Sequence, residues 1–215
     1  MNIQTQRLTL SGTAGAIEGL RDEPLHLPPG THGRGVAVIA HPHPLYGGTM
    51  NNKVVQTLAR AFVQCGFSAV RFNFRGVGAS QGQFDHGVGE VADLLAVVEQ
   101  VAPPGMPLAL AGFSFGAFAT CQAVAALWPQ RALESIVLVG TAASRFEVAP
   151  LPPEAHERTL VVHGEQDDTV PLAAVMDWAR PQMLPVTVIP GVEHFFHGQL
   201  TLLKNLVVRH LQSGR

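Results

Sequence analysis

The sequence predicts an α/β fold: a three-layer α/β/α sandwich around a mostly parallel eight-stranded sheet, opened by an antiparallel hairpin. Three observations carry this reading. From residue 35 onward, short apolar runs alternate with stretches of helical periodicity, the pattern of repeated βαβ units. Apolar residues make up 47% of the chain and charged residues only 14%, against roughly 25% charged in ordinary soluble domains, and a parallel sheet covered on both faces needs that excess. Finally, Gly112-Phe113-Ser114-Phe115-Gly116 stands where an apolar strand pattern gives way to an apolar helix pattern. A turn that tight leaves no room for a Cβ at the flanking positions, and it lifts the serine hydroxyl clear of the sheet.

The elements follow in order. Residues 6–10 and 16–21 read as two antiparallel strands joined by a glycine-containing turn, and a loop rich in proline and glycine spans 24–33. A strand at 35–40 leads to a helix whose Val55, Leu58, Ala59 and Phe62 fall on one face. A strand at 68–74 leads through a glycine-rich loop to a helix at 90–101, with Val91, Leu94, Leu95 and Val98 at helical spacing. The strand at 108–112 meets the Gly-x-Ser-x-Gly turn and a buried helix running to Leu127. Strands at 135–140, 159–163 and 185–189 complete the sheet, with helices at 172–180 and 199–211, the last turning Leu203, Leu206 and Val207 inward.

Composition excludes several classes of function. At 215 residues the chain reads as one domain, 1–215, with no internal repeat and no linker. No apolar run approaches the ~20 residues of a membrane span. The net charge is −2 and the basic residues are scattered, so neither nucleic acid nor an anionic membrane is an expected partner. The first seven residues lack a basic segment followed by an apolar core, so no secretory signal is expected. Cys65 and Cys121 each fall in a helical pattern without metal or redox spacing, which reads as two reduced core thiols in a cytoplasmic protein. Monomer and homodimer are equally compatible with the composition.

A serine hydroxyl is a poor nucleophile and needs a base within hydrogen-bond reach, which in turn needs an orienting group. Downstream of Ser114, the strand at 159–163 ends in His163-Gly164-Glu165-Gln166-Asp167-Asp168-Thr169-Val170-Pro171, and the last strand is followed by Glu193-His194-Phe195-Phe196-His197. The strand order, the elbow and these two loops together resemble the α/β-hydrolase fold over nearly the whole chain. The connection at 142–157 is too short for a cap domain, so the resemblance is to the minimal, open form of that fold.

That resemblance implies a serine hydrolase in which Ser114 is the nucleophile, Asp167 the acid, by the pattern H-G-x-x-D-x-x-V-P, and His194 the base. Asp168 and His197 are the alternatives, the first as a solvated loop residue or the cap of the helix at 171, the second as a first-turn residue of the last helix. An oxyanion hole needs two backbone N–H donors. Phe115, next to the nucleophile at the positive end of its helix, supplies one. The other comes from His41-Pro42-His43-Pro44-Leu45-Tyr46-Gly47-Gly48, where the prolines have no N–H and His43 and Leu45 remain. This H-P-H-P-x-x-G-G stretch is similar to that of small cap-less bacterial hydrolases of the dienelactone-hydrolase-like type.

His41 and His43 also invite a metal reading, but no carboxylate or cysteine cluster follows at ligand spacing, and a histidine at this position in the family bonds nearby backbone. Arg75-Gly76-Val77-Gly78-Ala79-Ser80-Gln81 imitates a dinucleotide-binding loop without its third glycine. No cofactor or metal is therefore expected. Phe113, Phe115, Tyr46, Phe195 and Phe196 are expected to crowd the site. The expected reaction is cleavage of a small-molecule ester by water, with acyl transfer, peptide cleavage or a non-catalytic binding role as alternatives.

Overall fold

The computed structural model describes residues 5–24, 33–131 and 133–213. Strands β1 (Gln6–Gly12) and β2 (Gly15–Asp22) form the expected antiparallel hairpin, Gln6 opposite Arg21 and Gly12 opposite Gly15. Six further strands are parallel to one another: β3 (Gly35–Ala40), β4 (Phe67–Phe72), β5 (Leu108–Phe113), β6 (Leu133–Val139), β7 (Thr159–Gly164) and β8 (Val186–Ile189). The sheet has eight strands in the order β1-β2-β4-β3-β5-β6-β7-β8, β2 joining β4 antiparallel. The proline- and glycine-rich loop lies, except at its two ends, outside the described residues.

Among the described residues five helices cover the two faces: α1 (Lys53–Gln64), α2 (Val88–Val101), α3 (Phe115–Leu127), α4 (Leu172–Ala179) and α5 (Leu200–Ser213). The two-residue period of a strand sorts side chains between them. On β3, Val36, Val38 and Ala40 join the core beneath α2, α3 and α4, while Ala37 and Ile39 join the core beneath α1 and α5. Helix α3 is apolar all round because it is buried; nine of its residues, from Phe115 to Val124, are inaccessible or nearly so.

Two elements depart from the expected pattern for reasons of hydrogen bonding. Past Phe72, where β4 ends, the Asn73 N–H still reaches Glu18 O on β2 at 2.8 Å, and the Phe74 N–H leaves the ladder for His41 Nε2 at 3.0 Å. In α2 the fully buried stripe is Leu94, Val97, Val98 and Val101, with Val91 and Leu95 only half-buried. The helix is turned so that Glu90 and Asp93 also face inward. Glu90 accepts from Gly87 N–H at 2.8 Å and Asp85 N–H at 2.9 Å, which starts the helix at Val88 rather than 90. Asp93 holds Arg75 by two bonds, Nε at 2.9 Å and Nη2 at 2.7 Å, and also accepts the Arg75 N–H at 3.0 Å.

The register brings the C-terminal ends of β3, β5, β6, β7 and β8 to one edge: Ala40 pairs with Gly112, Phe113 with Val139, and Gly164 with Ile189. The loops leaving that edge are bonded to their neighbours, Ser114 N–H to Val139 O at 2.8 Å and Gln166 N–H to Val192 O at 2.9 Å. In an open α/β sheet this edge is where ligands bind. The β6–β7 connection contains only a short 3-10 turn, Pro153–Arg158, and no cap.

Candidate active site

The serine turn is shaped by backbone contact. Ser114 sits at φ 57°, ψ −115°, a conformation that costs about 1–3 kcal/mol for a residue with a side chain and persists only where the surroundings impose it. They do so here. A Cβ at Gly112 would lie 2.2 Å from Gly116 O, and one at Gly116 would lie 2.3 Å from Ala40 O, so strand, turn and helix approach too closely for anything but glycine. α3 begins at Phe115, whose N–H has no carbonyl four residues back to bond.

From Ser114 a line of hydrogen bonds runs inward. Its Oγ lies 3.0 Å from His194 Nε2, and His194 Nδ1 lies 2.6 Å from Asp167 Oδ2. The other carboxylate oxygen of Asp167 accepts the N–H groups of Thr169 at 3.0 Å and Val170 at 2.7 Å. With Nδ1 committed to a carboxylate, the imidazole carries its proton there and leaves Nε2 as an acceptor facing the serine. The ring is packed between Phe113, 4.9 Å away by centroid, and the edge of Phe195 at 5.1 Å. His194 and Asp167 are buried and Ser114 nearly so.

Behind this line stands a second histidine. His163 Nε2–H donates to Val170 O at 2.9 Å and lies 3.5 Å from Asp167 Oδ2. Its burial lowers the pKa and keeps the ring neutral, and its Nδ1 is the buried ring nitrogen without a partner among the described residues.

The loop after β3 is built differently. His41 is fully buried, its Nδ1–H donating to Pro42 O at 2.6 Å while Nε2 accepts from Phe74 N–H at 3.0 Å, and burial lowers its pKa to about 4. Both its ring nitrogens are thus taken by backbone. Among the described residues no group of three His, Cys, Asp or Glu is arranged to hold a metal ion. His43 caps a 3-10 turn at Pro44–Tyr46, its Nδ1 accepting the Leu45 N–H at 3.2 Å. That bond occupies the Leu45 donor. The His43 N–H donates to no other group among the described residues.

A cavity of about 400 Å³ opens beside Ser114, walled by Tyr46, Phe115, Phe146 and Phe195 and edged by Asn52 and Arg145. A larger recess of about 620 Å³ lies elsewhere, between α2 and the start of β5, and touches none of these groups. The sequence model of the serine aminopeptidase S33 family matches residues 33–157. The chain belongs to that family, within the α/β-hydrolase superfamily.

Solved structures agree with this membership of the α/β hydrolases. A lidless α/β serine hydrolase of Xanthomonas campestris is 35% identical, with a TM-score of 0.84 covering 99% of this chain and 96% of that one. An α/β serine hydrolase homologue from Coxiella burnetii is 39% identical, with a TM-score of 0.79 covering 96% and 97%. An uncharacterized protein of Rickettsia prowazekii (strain Madrid E) is 49% identical over 92 residues, 41% of this chain; the match spans only 39% of that curated relative's length.

Other residues singled out from the sequence divide between those placed as expected, Asp168 as a solvated loop residue and the glycine loop at 75–81 as structural, and those placed elsewhere. Asp168 is exposed, touches only the Thr169 hydroxyl at 3.4 Å, and does not cap α4, whose N-cap is Pro171. His197 lies ahead of α5 rather than in it and pairs at the surface with Glu193 at 2.9 Å. Phe113 and Phe196 do not line the cavity: both are fully buried in the core beneath α1 and α5. The glycine loop at 75–81 is a structural tie, with Arg75 bonded to Asp93 and the Ala79 N–H to Glu18 at 3.0 Å. Arg145, Phe146 and Asn52 were missed. A signal existed for the first two, because residues just past β6 must emerge at the same sheet edge as the elbow.

Proposed function

We propose that this protein is a cytoplasmic serine hydrolase that cleaves carboxylic esters of small molecules through an acyl-enzyme. The observation that supports the reading most is the continuous line from Ser114 Oγ through His194 to Asp167, with the acid's second oxygen fixed by two backbone N–H groups. Ser114 attacks the ester carbonyl while His194 Nε2 takes its proton, and Asp167 stabilises the imidazolium that forms. The N–H groups of Phe115 and His43 receive the developing oxyanion. His194 then gives its proton to the departing alcohol, and water activated by the same ring releases the acid.

The choice of His43 over Leu45 rests on the bond that already occupies the Leu45 N–H. Buried thiols at Cys65 and Cys121, the latter with its pKa pushed up by burial, suit a reducing compartment. Among the described residues no helix is long and apolar enough to cross a membrane.

The test is a fluorophosphonate probe followed by intact and peptide mass spectrometry, together with turnover of short acyl esters and aminoacyl anilides. A single adduct on Ser114, absent from Ser114→Ala and His194→Ala, with esters cleaved in preference to anilides, is the expected result. Preference for the anilides would make the protein a peptidase. No adduct on folded protein, or turnover surviving in Ser114→Ala, would overturn the assignment.

A further inference from the structure

The cavity beside Ser114 has an uneven charge. Its walls are mostly rings and glycine, and of the residues that line it Arg145 alone carries a full charge at neutral pH. The carboxylate of Asp167 faces the far side of the His194 ring. Arg145 makes no ion pair and no side-chain hydrogen bond among the described residues, whereas Arg21, Arg71, Arg75 and Arg180 all pair with acids.

The neighbouring Asp168 shares a shallow outer recess with Arg145 but is not ion-paired with it, and does not line the cavity itself. The charge of Arg145 is felt inside: after burial, it is the second cause that lowers the pKa of His43 across the pocket. His43 consequently stays neutral and adds no second cation.

Arg145 itself is exposed where it lines the cavity, next in the chain to an aromatic wall. Phe146 stacks on Phe118 at 4.7 Å and meets the edge of Phe115 at 5.1 Å, a ring cluster directly following Arg145 in the chain. A guanidinium presents parallel N–H groups that match the two oxygens of a carboxylate, a geometry that an ammonium or a hydroxyl does not reproduce.

We infer that the ester taken by this site carries a free carboxylate, bound by Arg145, so that the substrate class is the half-esters of dicarboxylic acids or similarly anionic esters. The inference rests on the ester-hydrolase reading above. Arg145 is a specificity-determining residue in it and plays no part in the bond-breaking steps.

The experiment compares p-nitrophenyl monoesters of succinate, glutarate and adipate with the neutral butyrate, valerate and hexanoate esters. It uses the full chain and its Arg145→Ala, Arg145→Lys and Arg145→Glu variants. The unaltered protein should favour the best-fitting half-ester over its neutral counterpart in kcat/KM. In Arg145→Ala that ratio should fall roughly 2–5-fold, chiefly through KM, as expected for removing an ion pair open to solvent. Arg145→Lys should recover part of it and Arg145→Glu should invert it, and the preference should weaken as salt rises.

Equal rates on the two series, or a preference unmoved by Arg145→Ala, would overturn the inference while leaving ester hydrolysis standing. Failure of every ester together with no fluorophosphonate adduct on Ser114 would overturn the hydrolase reading, and this inference with it.

Discussion

The loops after β7 and β8 and the loop after β3 meet at the same serine but are held in opposite ways. In the first pair, the carboxylate of Asp167 and both nitrogens of His194 are bonded, to Ser114, to each other, or to the Thr169 and Val170 N–H groups. In the second, the root is locked through His41, and the turn beyond it is held, among the described residues, only by bonds to its own His43, from the Leu45, Tyr46 and Gly48 N–H groups. There Leu45 is 67% exposed and Tyr46 78%, and the His43 N–H has no partner among the described residues. The proton-handling side of the site is complete before substrate arrives. On the proposed mechanism the loop after β3 receives charge and is completed by the substrate, and so should govern which substrates are taken.

The sharpest way to break the first side is Asp167→Asn. It keeps the shape but loses the charge and lets the imidazole adopt the wrong tautomer, so kcat should fall by about 10⁴ with stability little changed. A fall under tenfold, measured on the ester that gives the best turnover, would show that the buried line is not what activates Ser114. The second side is broken by His43→Pro. His43 sits at φ −52°, ψ 124°, angles proline adopts, so the substitution removes the N–H with little distortion. kcat should drop by roughly 10²–10³, against a much smaller drop for His43→Ala, which keeps the N–H. Equal losses in the two variants would move the donor elsewhere.

The root of that loop is open to a pH test. His41 has a folded pKa of about 4 against an ordinary 6.5, so the unfolded chain takes up a proton first. Stability therefore rises with pH across that window and is lost as pH falls from 6.5 towards 4, by up to roughly 3 kcal/mol. Urea unfolding at pH 7.5 and pH 5 should show a lower midpoint in acid. In His41→Asn that pH slope should shrink while the neutral midpoint falls. His163 and His210, also lowered by burial, act in the same direction, so some slope should persist.

The two sides also differ in how far they were legible in the sequence. Ser114 was legible from the glycines its tight turn requires between a visible strand and helix, and Asp167 and His194 from the resemblance of the loops after two further visible strands to those of α/β hydrolases. The cavity walls could not. Phe196 looks like a site residue by position along the chain, but a tight turn sends it into the core beneath α1 and α5; strand alternation sends Phe113 into the same core, where it supports the His194 ring without lining the cavity. Arg145 and Phe146 lie in a segment with no periodicity, and only the shared sheet edge brings them to the serine. In α2 the same limit applies to polarity: Asp93 reads as a surface residue until Arg75 is seen beside it. Periodicity reports what faces a core, whereas a pocket is made by which loops happen to be neighbours.

The short β6–β7 connection leaves this hydrolase without a door. No segment has to swing aside for entry or exit, so no opening step stands between one turnover and the next. On the proposed mechanism, water would then reach the acylated serine as freely as any other acceptor does, at the concentration of the solvent itself. An enzyme that passed its acyl group to a chosen alcohol or amine would have to shut that solvent out. On the proposed mechanism the short β6–β7 connection, which holds only the turn at Pro153–Arg158, would not keep that solvent from the serine, and release of the acyl group to water is the expected outcome.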